Sequence, residues 1–119
     1  MFGGSDRDVL FGGFGNDRLY GEEGRDVLSG GLGNDWLRGG SGNDRLTGGA
    51  GKDKFSIDTG SGRDIITDYK SGEDKIELLG NLTESELAIR QVGSDVKIKY
   101  EGDLMAIVQN TLIADLTFI

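Results

Sequence analysis

Residues Gly3 to Ser56 read GGSDRDVLF GGFGNDRLY GEEGRDVLS GGLGNDWLR GGSGNDRLT GGAGKDKFS, one nine-residue phrase written six times with no insertion or deletion. The sixth place of every copy is Asp: Asp8, Asp17, Asp26, Asp35, Asp44 and Asp53. The eighth is always large and apolar: Leu10, Leu19, Leu28, Leu37, Leu46 and Phe55. A unit this short cannot bury its own apolar face, so a strict period of this kind predicts a solenoid in which each coil stacks on the next. Glycine pairs such as Gly30-Gly31 permit tight turns, which places the turn in the first six positions and a short strand in the last three. Alternation along that strand sends the eighth residue inward and the seventh and ninth outward. Two phrases make one coil.

One buried Leu per nine ordered residues does not offset the backbone entropy lost, and stacked Asp columns repel one another. The roll is therefore expected to be largely unfolded without a ligand. Strands of adjacent coils lie about 4.8 Å apart, and oxygen-ligated calcium sits roughly 2.4 Å from each ligand, so one cation between coils reaches both. The expected carboxylate pairs are Asp8 with Asp26 and Asp26 with Asp44 on one edge, and Asp17 with Asp35 and Asp35 with Asp53 on the other. Turn carbonyls from Gly13, Gly15, Gly24, Gly31, Gly33, Gly40, Gly42, Gly49 and Gly51 are the candidates to complete the shell. Six to eight oxygens in a flexible cage suit calcium; magnesium needs a stricter octahedron and zinc finds no soft ligand. About 4–6 calcium ions are expected from the pairing geometry.

GGFGNDRLY, GGLGNDWLR, GGSGNDRLT and GGAGKDKFS match the pattern G-G-x-G-x-D-x-U-x at every fixed place, and the chain thereby resembles the RTX (repeats-in-toxin, hemolysin-type) calcium-binding repeat. The resemblance implies an all-β fold, a right-handed parallel β-roll with calcium between turns. It also implies a place near the C-terminal end of a bacterial protein exported by type I secretion. Two phrases depart from the pattern, with Asp6 where Gly is expected and Glu22 in place of the second Gly. Either these turns bind more weakly or Asp6, Glu22 or Glu23 add ligand oxygens.

After Ser56 the phase slips by two residues and a seventh, degenerate phrase, TGSGRDIIT, offers Asp64 as ligand and Ile66 as apolar residue. The following ITDYKSGEDKIEL resembles the segment that ends many such rolls; Asp68 and Asp74 either reach the last ion or shape a turn around Ser71-Gly72. Beyond it the texture is ordinary and amphipathic. Thr83 with Glu86 has capping-box spacing for a short helical turn. Strands are expected at 87–92, 96–100 and 104–108, then an apolar end, NTLIADLTFI. The resulting division is a roll over 3–75 and a C-terminal antiparallel β capping region over 76–119. The terminal Leu116-Thr117-Phe118-Ile119 suits both a cap strand and a type I secretion signal. Asn81-Leu82-Thr83 has sequon spacing and is read as a loop and cap.

Composition bounds the function. The 119 residues carry a net charge of −8 with no Cys, no His and no apolar run of membrane-spanning length. With no activated nucleophile and no substrate cleft in a narrow roll, the chain is read as non-enzymatic. The acidic balance speaks against nucleic acid, and no disulfide stands in for the ion. The chain is expected to begin inside a longer parent, and its partners are calcium, upstream domains and the type I secretion machinery, in an extracellular setting. Between Gly3 and Ser56 nine acidic residues face seven basic ones, so a calcium-loaded roll turns positive. A carbohydrate-binding module akin to the noncatalytic repeats of alginate epimerases is therefore the alternative, with Arg18 and Arg45 as contacts. A surface adhesin segment is a third reading. Phe11, Tyr20 and Trp36 either form an exposed strip or cover a sheet face.

Overall fold

A computed structural model describes residues 1–58, 62–80 and 82–119. The sequon Asn81 and the opening Thr59, Gly60 and Ser61 of the seventh phrase lie outside the described residues.

The nine-residue period produces alternating strands β1 (Val9–Gly13), β2 (Arg18–Tyr20), β3 (Val27–Leu32), β4 (Trp36–Arg38), β5 (Arg45–Ala50), β6 (Lys54–Ile57), β7 (Asp64–Ile66) and β8 (Lys75–Leu78). Each pairs in parallel with the strand one coil away. Val9 stands beside Val27, Val27 beside Arg45 and Arg45 beside Ile65, while Arg18, Trp36, Lys54 and Lys75 follow one another on the opposite side. Odd strands form one sheet and even strands the other, so the chain is a β-solenoid of about four coils. The two-residue slip at Ile57-Asp58 appears as a twenty-residue step from Arg45 to Ile65 without loss of register.

The sheets are unequal. Strands β3 and β5 run on through their glycine pairs, aligning Gly31 with Gly49, whereas β2 and β4 stop after three residues. Eighth-place side chains fill the narrow interior as expected: Leu19, Leu28, Leu37, Leu46, Phe55, Ile66 and Ile76 are all sealed from solvent. One such side chain per phrase leaves no wider core.

At the C-terminal end β9 (Ala88–Val92), β10 (Asp95–Tyr100) and β11 (Asp103–Val108) form an antiparallel meander. β11 joins β7 in parallel and extends the odd sheet to the order β1-β3-β5-β7-β11-β10-β9. Val96, Ile98, Met105, Ala106 and Val108 thus continue the interior of the roll. The even sheet is closed by the chain terminus, where Phe118 bridges Ile76 and the Ile76 N–H donates to the Thr117 carbonyl at 2.8 Å. A 3₁₀ turn at Glu84–Glu86 carries the anticipated cap, with the Thr83 N–H donating to the Glu86 carboxylate at 2.9 Å.

The three aromatic residues do not share a strip. Phe11 is exposed on the odd sheet; Tyr20 and Trp36 lie half-buried on the even sheet. Arg38 covers Tyr20 at 4.8 Å, and Arg18 and Lys54 flank Trp36 at 5.7 and 5.4 Å from the ring centre.

Candidate metal centre

Each candidate Asp except Asp68 enters its strand from the preceding turn, two residues ahead of the interior apolar residue. Stacking brings the carboxylates into two columns. Asp8, Asp26, Asp44 and Asp64 line the turns that lead into the odd strands; Asp17, Asp35, Asp53 and Asp74 line those that lead into the even strands. The columns are pinned by hydrogen bonds that sequence reasoning missed. The Asp8 N–H donates to Asp26 Oδ1 and the Asp17 N–H to Asp35 Oδ1, both at 2.8 Å. Asp26 reaches Asp44 at 2.8 Å, and Asp35 reaches Asp53 and Asp53 reaches Asp74 at 2.9 Å.

Oδ1 of Asp26, Asp35, Asp44, Asp53 and Asp74 is therefore satisfied; except at Asp74, the second oxygen is not. Oδ2 of Asp8, Asp17, Asp26, Asp35, Asp44 and Asp53, and Oδ1 of Asp64, are buried with no hydrogen-bond donor. A buried unpaired carboxylate oxygen is strongly unfavourable, so each calls for a cation or a proton. More oxygen surrounds it. The point where a Cβ on Gly12 would lie is 2.6 Å from the Gly30 carbonyl oxygen and 2.7 Å from Asp17 Oδ2, and Gly3 repeats this with Gly21 and Asp8. Only a glycine without a Cβ leaves this space to oxygen atoms.

The candidate glycines stack in further columns. Carbonyls of Gly13 and Gly31 face the α-carbons of Gly31 and Gly49, and those of Gly15 and Gly33 face Gly33 and Gly51. On the other edge the Gly24 carbonyl faces Gly42, and Glu22 presents its carbonyl to Gly40. Asp6 likewise presents its carbonyl to Gly24. The two departures from the pattern keep the turn: Asp6 and Glu22 adopt φ of 85° and 73°, the glycine conformation. Among the described residues no cluster of three or more acidic side chains converges on one point. The donors at each turn are instead carboxylates of successive coils together with main-chain carbonyls, a hard all-oxygen set that fits calcium.

Crowding of these acids shows in their proton affinity. Burial, partly offset by the backbone N–H bond and reinforced by neighbouring carboxylates, pushes Asp44 up to about 6 and Asp53 up to about 7. Asp64 rises to about 9 by burial and the charge of Asp44, to which it is also hydrogen-bonded. Asp26, Asp35 and Asp74 shift upward, with burial the leading cause.

Asp68 and Asp74 lie at the last turn. Asp74 continues the second column, while both Asp68 oxygens accept backbone N–H groups, from Gly48 and Gly49, at 2.8 Å each. A second ladder went unread in the sequence: the Asn16 side chain accepts the Asn34 N–H, Asn34 accepts the Lys52 N–H and Asn43 accepts the Arg63 N–H, at 2.8–2.9 Å. Its signal was the Asn before Asp in three phrases.

Arg18 and Arg45 lie on opposite sheets. Arg18 borders an open cleft of about 520 Å³ with Asn34, Trp36, Lys52 and Lys54. Arg45 shares a groove of about 320 Å³ with Arg7, Arg25 and Arg63. Among the described residues the ion pairs Arg38–Asp58 at 2.9 Å and Lys54–Glu77 at 3.4 Å involve none of the four arginines of that groove.

The pattern of the family described as the RTX calcium-binding nonapeptide repeat, in four copies, matches residues 2–37 and 29–66. Two solved structures are similar over nearly the whole chain. The solution structure of the AlgE6R3 subunit from the Azotobacter vinelandii mannuronan C5-epimerase is 28% identical with a TM-score of 0.70, covering 98% of this chain and 80% of that one. The AlgE6R2 subunit of that epimerase is 30% identical with a TM-score of 0.65, covering 97% and 90% respectively. No curated protein sequence matches.

Proposed function

The chain belongs to the RTX calcium-binding nonapeptide repeat family, and from that premise we propose that it is a noncatalytic module that folds on binding extracellular calcium. The observation that carries this reading is the double column of buried, donorless carboxylate oxygens on Asp8, Asp17, Asp26, Asp35, Asp44, Asp53 and Asp64. Removing those charges from water is unfavourable until a divalent ion joins adjacent coils, so binding energy becomes folding energy. Glycine carbonyls of the turns complete the coordination. About 4–6 ions fit the pairing of coils.

In this reading residues 3–75 are the calcium roll and 76–119 the cap, which keeps the interior and the β7 and β8 edges from pairing with other chains. The module belongs to a longer secreted protein, leaves the cell through type I secretion and stabilises its upstream domains after export. The test is far-UV circular dichroism in EDTA followed by calcium titration, with magnesium as control. A cooperative gain of β signal with calcium alone supports the reading. A spectrum already folded in EDTA and indifferent to calcium refutes it.

A second reading is favoured by the groove that gathers Arg7, Arg25, Arg45 and Arg63 and by the epimerase origin of the two similar structures. Here the loaded roll holds an anionic polysaccharide such as a polyuronate. Because Arg18 and Arg45 occupy different sheets, Arg18→Ala and Arg45→Ala tested singly on an immobilised alginate column would identify the binding face. Equal retention of wild type and both variants, or none by the wild type, refutes this reading.

A further inference from the structure

Along the Asp17–Asp35–Asp53 column each turn presents two kinds of oxygen: the donorless Oδ2, and glycine carbonyls directed at the next coil. The turn between β7 and β8, the last on that side, is built differently. Asp74 occupies the next step of the column, its Oδ1 accepting the Asp53 N–H at 2.9 Å. Its Oδ2, however, has a donor: the Lys70 N–H at 2.8 Å. The Lys70 ammonium donates to the Gly49 carbonyl at 3.3 Å. Gly49 follows Gly13 and Gly31 in the carbonyl column, so Lys70 stands where the next coil would be. Asp68 meanwhile takes the Gly48 and Gly49 N–H groups. Tyr69 fixes the turn further, donating to the Asp74 carbonyl at 2.8 Å and accepting the Thr117 N–H at 2.9 Å.

We propose that Lys70 is a resident cation, its ammonium and backbone N–H serving the Gly49 carbonyl and Asp74 in place of a calcium ion, so that the last turn on this side closes without metal. The inference rests on the calcium reading above. A single charge on the chain itself needs no external concentration, which lets the cap-proximal turn form first and present Asp53 as the first carboxylate of that column to require calcium. Charge also distinguishes this from a purely packing role. An uncharged side chain of similar length keeps the backbone donors to Asp68 and Asp74 but leaves the Gly49 carbonyl, on the residue whose N–H Asp68 accepts, without a cation and open to a divalent ion.

The experiment counts calcium bound per full chain by equilibrium dialysis for the wild type, Lys70→Met and Lys70→Arg, with circular dichroism following the calcium midpoint of folding. Lys70→Met is expected to bind one more ion than the wild type or, where the turn no longer closes, to need several-fold more calcium to fold. Lys70→Arg is expected to match the wild type in both. Equal stoichiometry and midpoint in Lys70→Met, or an Arg variant that behaves like the Met variant, overturns the proposal while leaving the calcium reading intact. A wild type that binds no calcium overturns both.

Discussion

Replacing Asp35 by Asn separates the two demands placed on the carboxylate columns. The side chain keeps its shape, and its Oδ1 can still accept the Asp17 N–H now held at 2.8 Å. What changes is the buried, donorless Oδ2, which becomes an NH₂ group beside the carbonyl oxygen of Gly48, both of them crowding the α-carbon of Gly30. Without metal the variant removes one charge from a column in which burial and Asp17 already push Asp35 upward, so the apo roll gains stability. With calcium the sign reverses. Asp35 lies between Asp17 and Asp53, and in the proposed function it would serve ions on both sides. A site at a hundredfold excess over its dissociation constant contributes about 2.7 kcal/mol, so losing two removes about 5 kcal/mol, comparable to the whole stability of a small domain. The assay is the folded fraction by circular dichroism in EDTA and across a calcium titration. Asp35→Asn should show more β signal in EDTA and a calcium midpoint at least tenfold higher. A variant that folds at the wild-type calcium level, or that is less structured in EDTA, refutes the reasoning.

Protons should partly substitute for calcium. Folded-state pKa values raised from the ordinary carboxylate range to about 6 at Asp44, about 7 at Asp53 and about 9 at Asp64 mean that the folded metal-free chain binds more protons than the unfolded one, so its stability falls as pH rises through this range. In EDTA, β signal should be strongest near pH 4 and be lost toward pH 8, and calcium added at pH 6 should release protons measurable by pH-stat; a metal-free chain that gains structure as pH rises contradicts this. Leu37→Ala, at a fully buried position, should lower calcium-loaded stability in urea by about 2–5 kcal/mol, while Ala at the exposed Leu32 should change it by less than about 0.5 kcal/mol; similar losses at both would mean the interior does not carry the stacking. Gly31→Ala drives a Cβ into the Gly13 carbonyl and should prevent coil stacking. Gly13→Ala, with open space at its Cβ, meets only the strain of its φ of 87°. Equal calcium midpoints for the two variants would contradict the stacked-turn geometry.

Much of the architecture was legible because one residue in nine repeats its role without interruption. Asp35 and Leu37 sit two apart and so share the inward side of the strand and its entry, where both are buried, Asp35 at the turn and Leu37 in the interior, and each phrase repeats the choice. The C-terminal antiparallel strands were readable from alternation at Val96, Ile98 and Tyr100 and from the turns around Gly93 and Gly102. The carboxylate roles were only half legible. Composition marks Asp53 as an oxygen donor, but only the register of adjacent coils shows that one oxygen receives the Asp35 N–H and the other receives nothing. Asp68 and Asp74 look alike in sequence and differ in space: one accepts two glycine N–H groups, the other extends the column.

The sequence by itself determined the period, the two registers and the all-oxygen character of the turns, because these depend on local alternation and on which residues tolerate positive φ. The tertiary structure decided what depends on contacts eighteen or more residues apart. It separated Arg18 from Arg45 onto opposite sheets, extended the odd strands through their glycines, and seated the Lys70 ammonium against Gly49. A repeat specifies its own turn, but which carbonyl, carboxylate or ammonium meets it is set by the coil stacked above, and the turn over 67–73 follows no pattern that the preceding phrases announce.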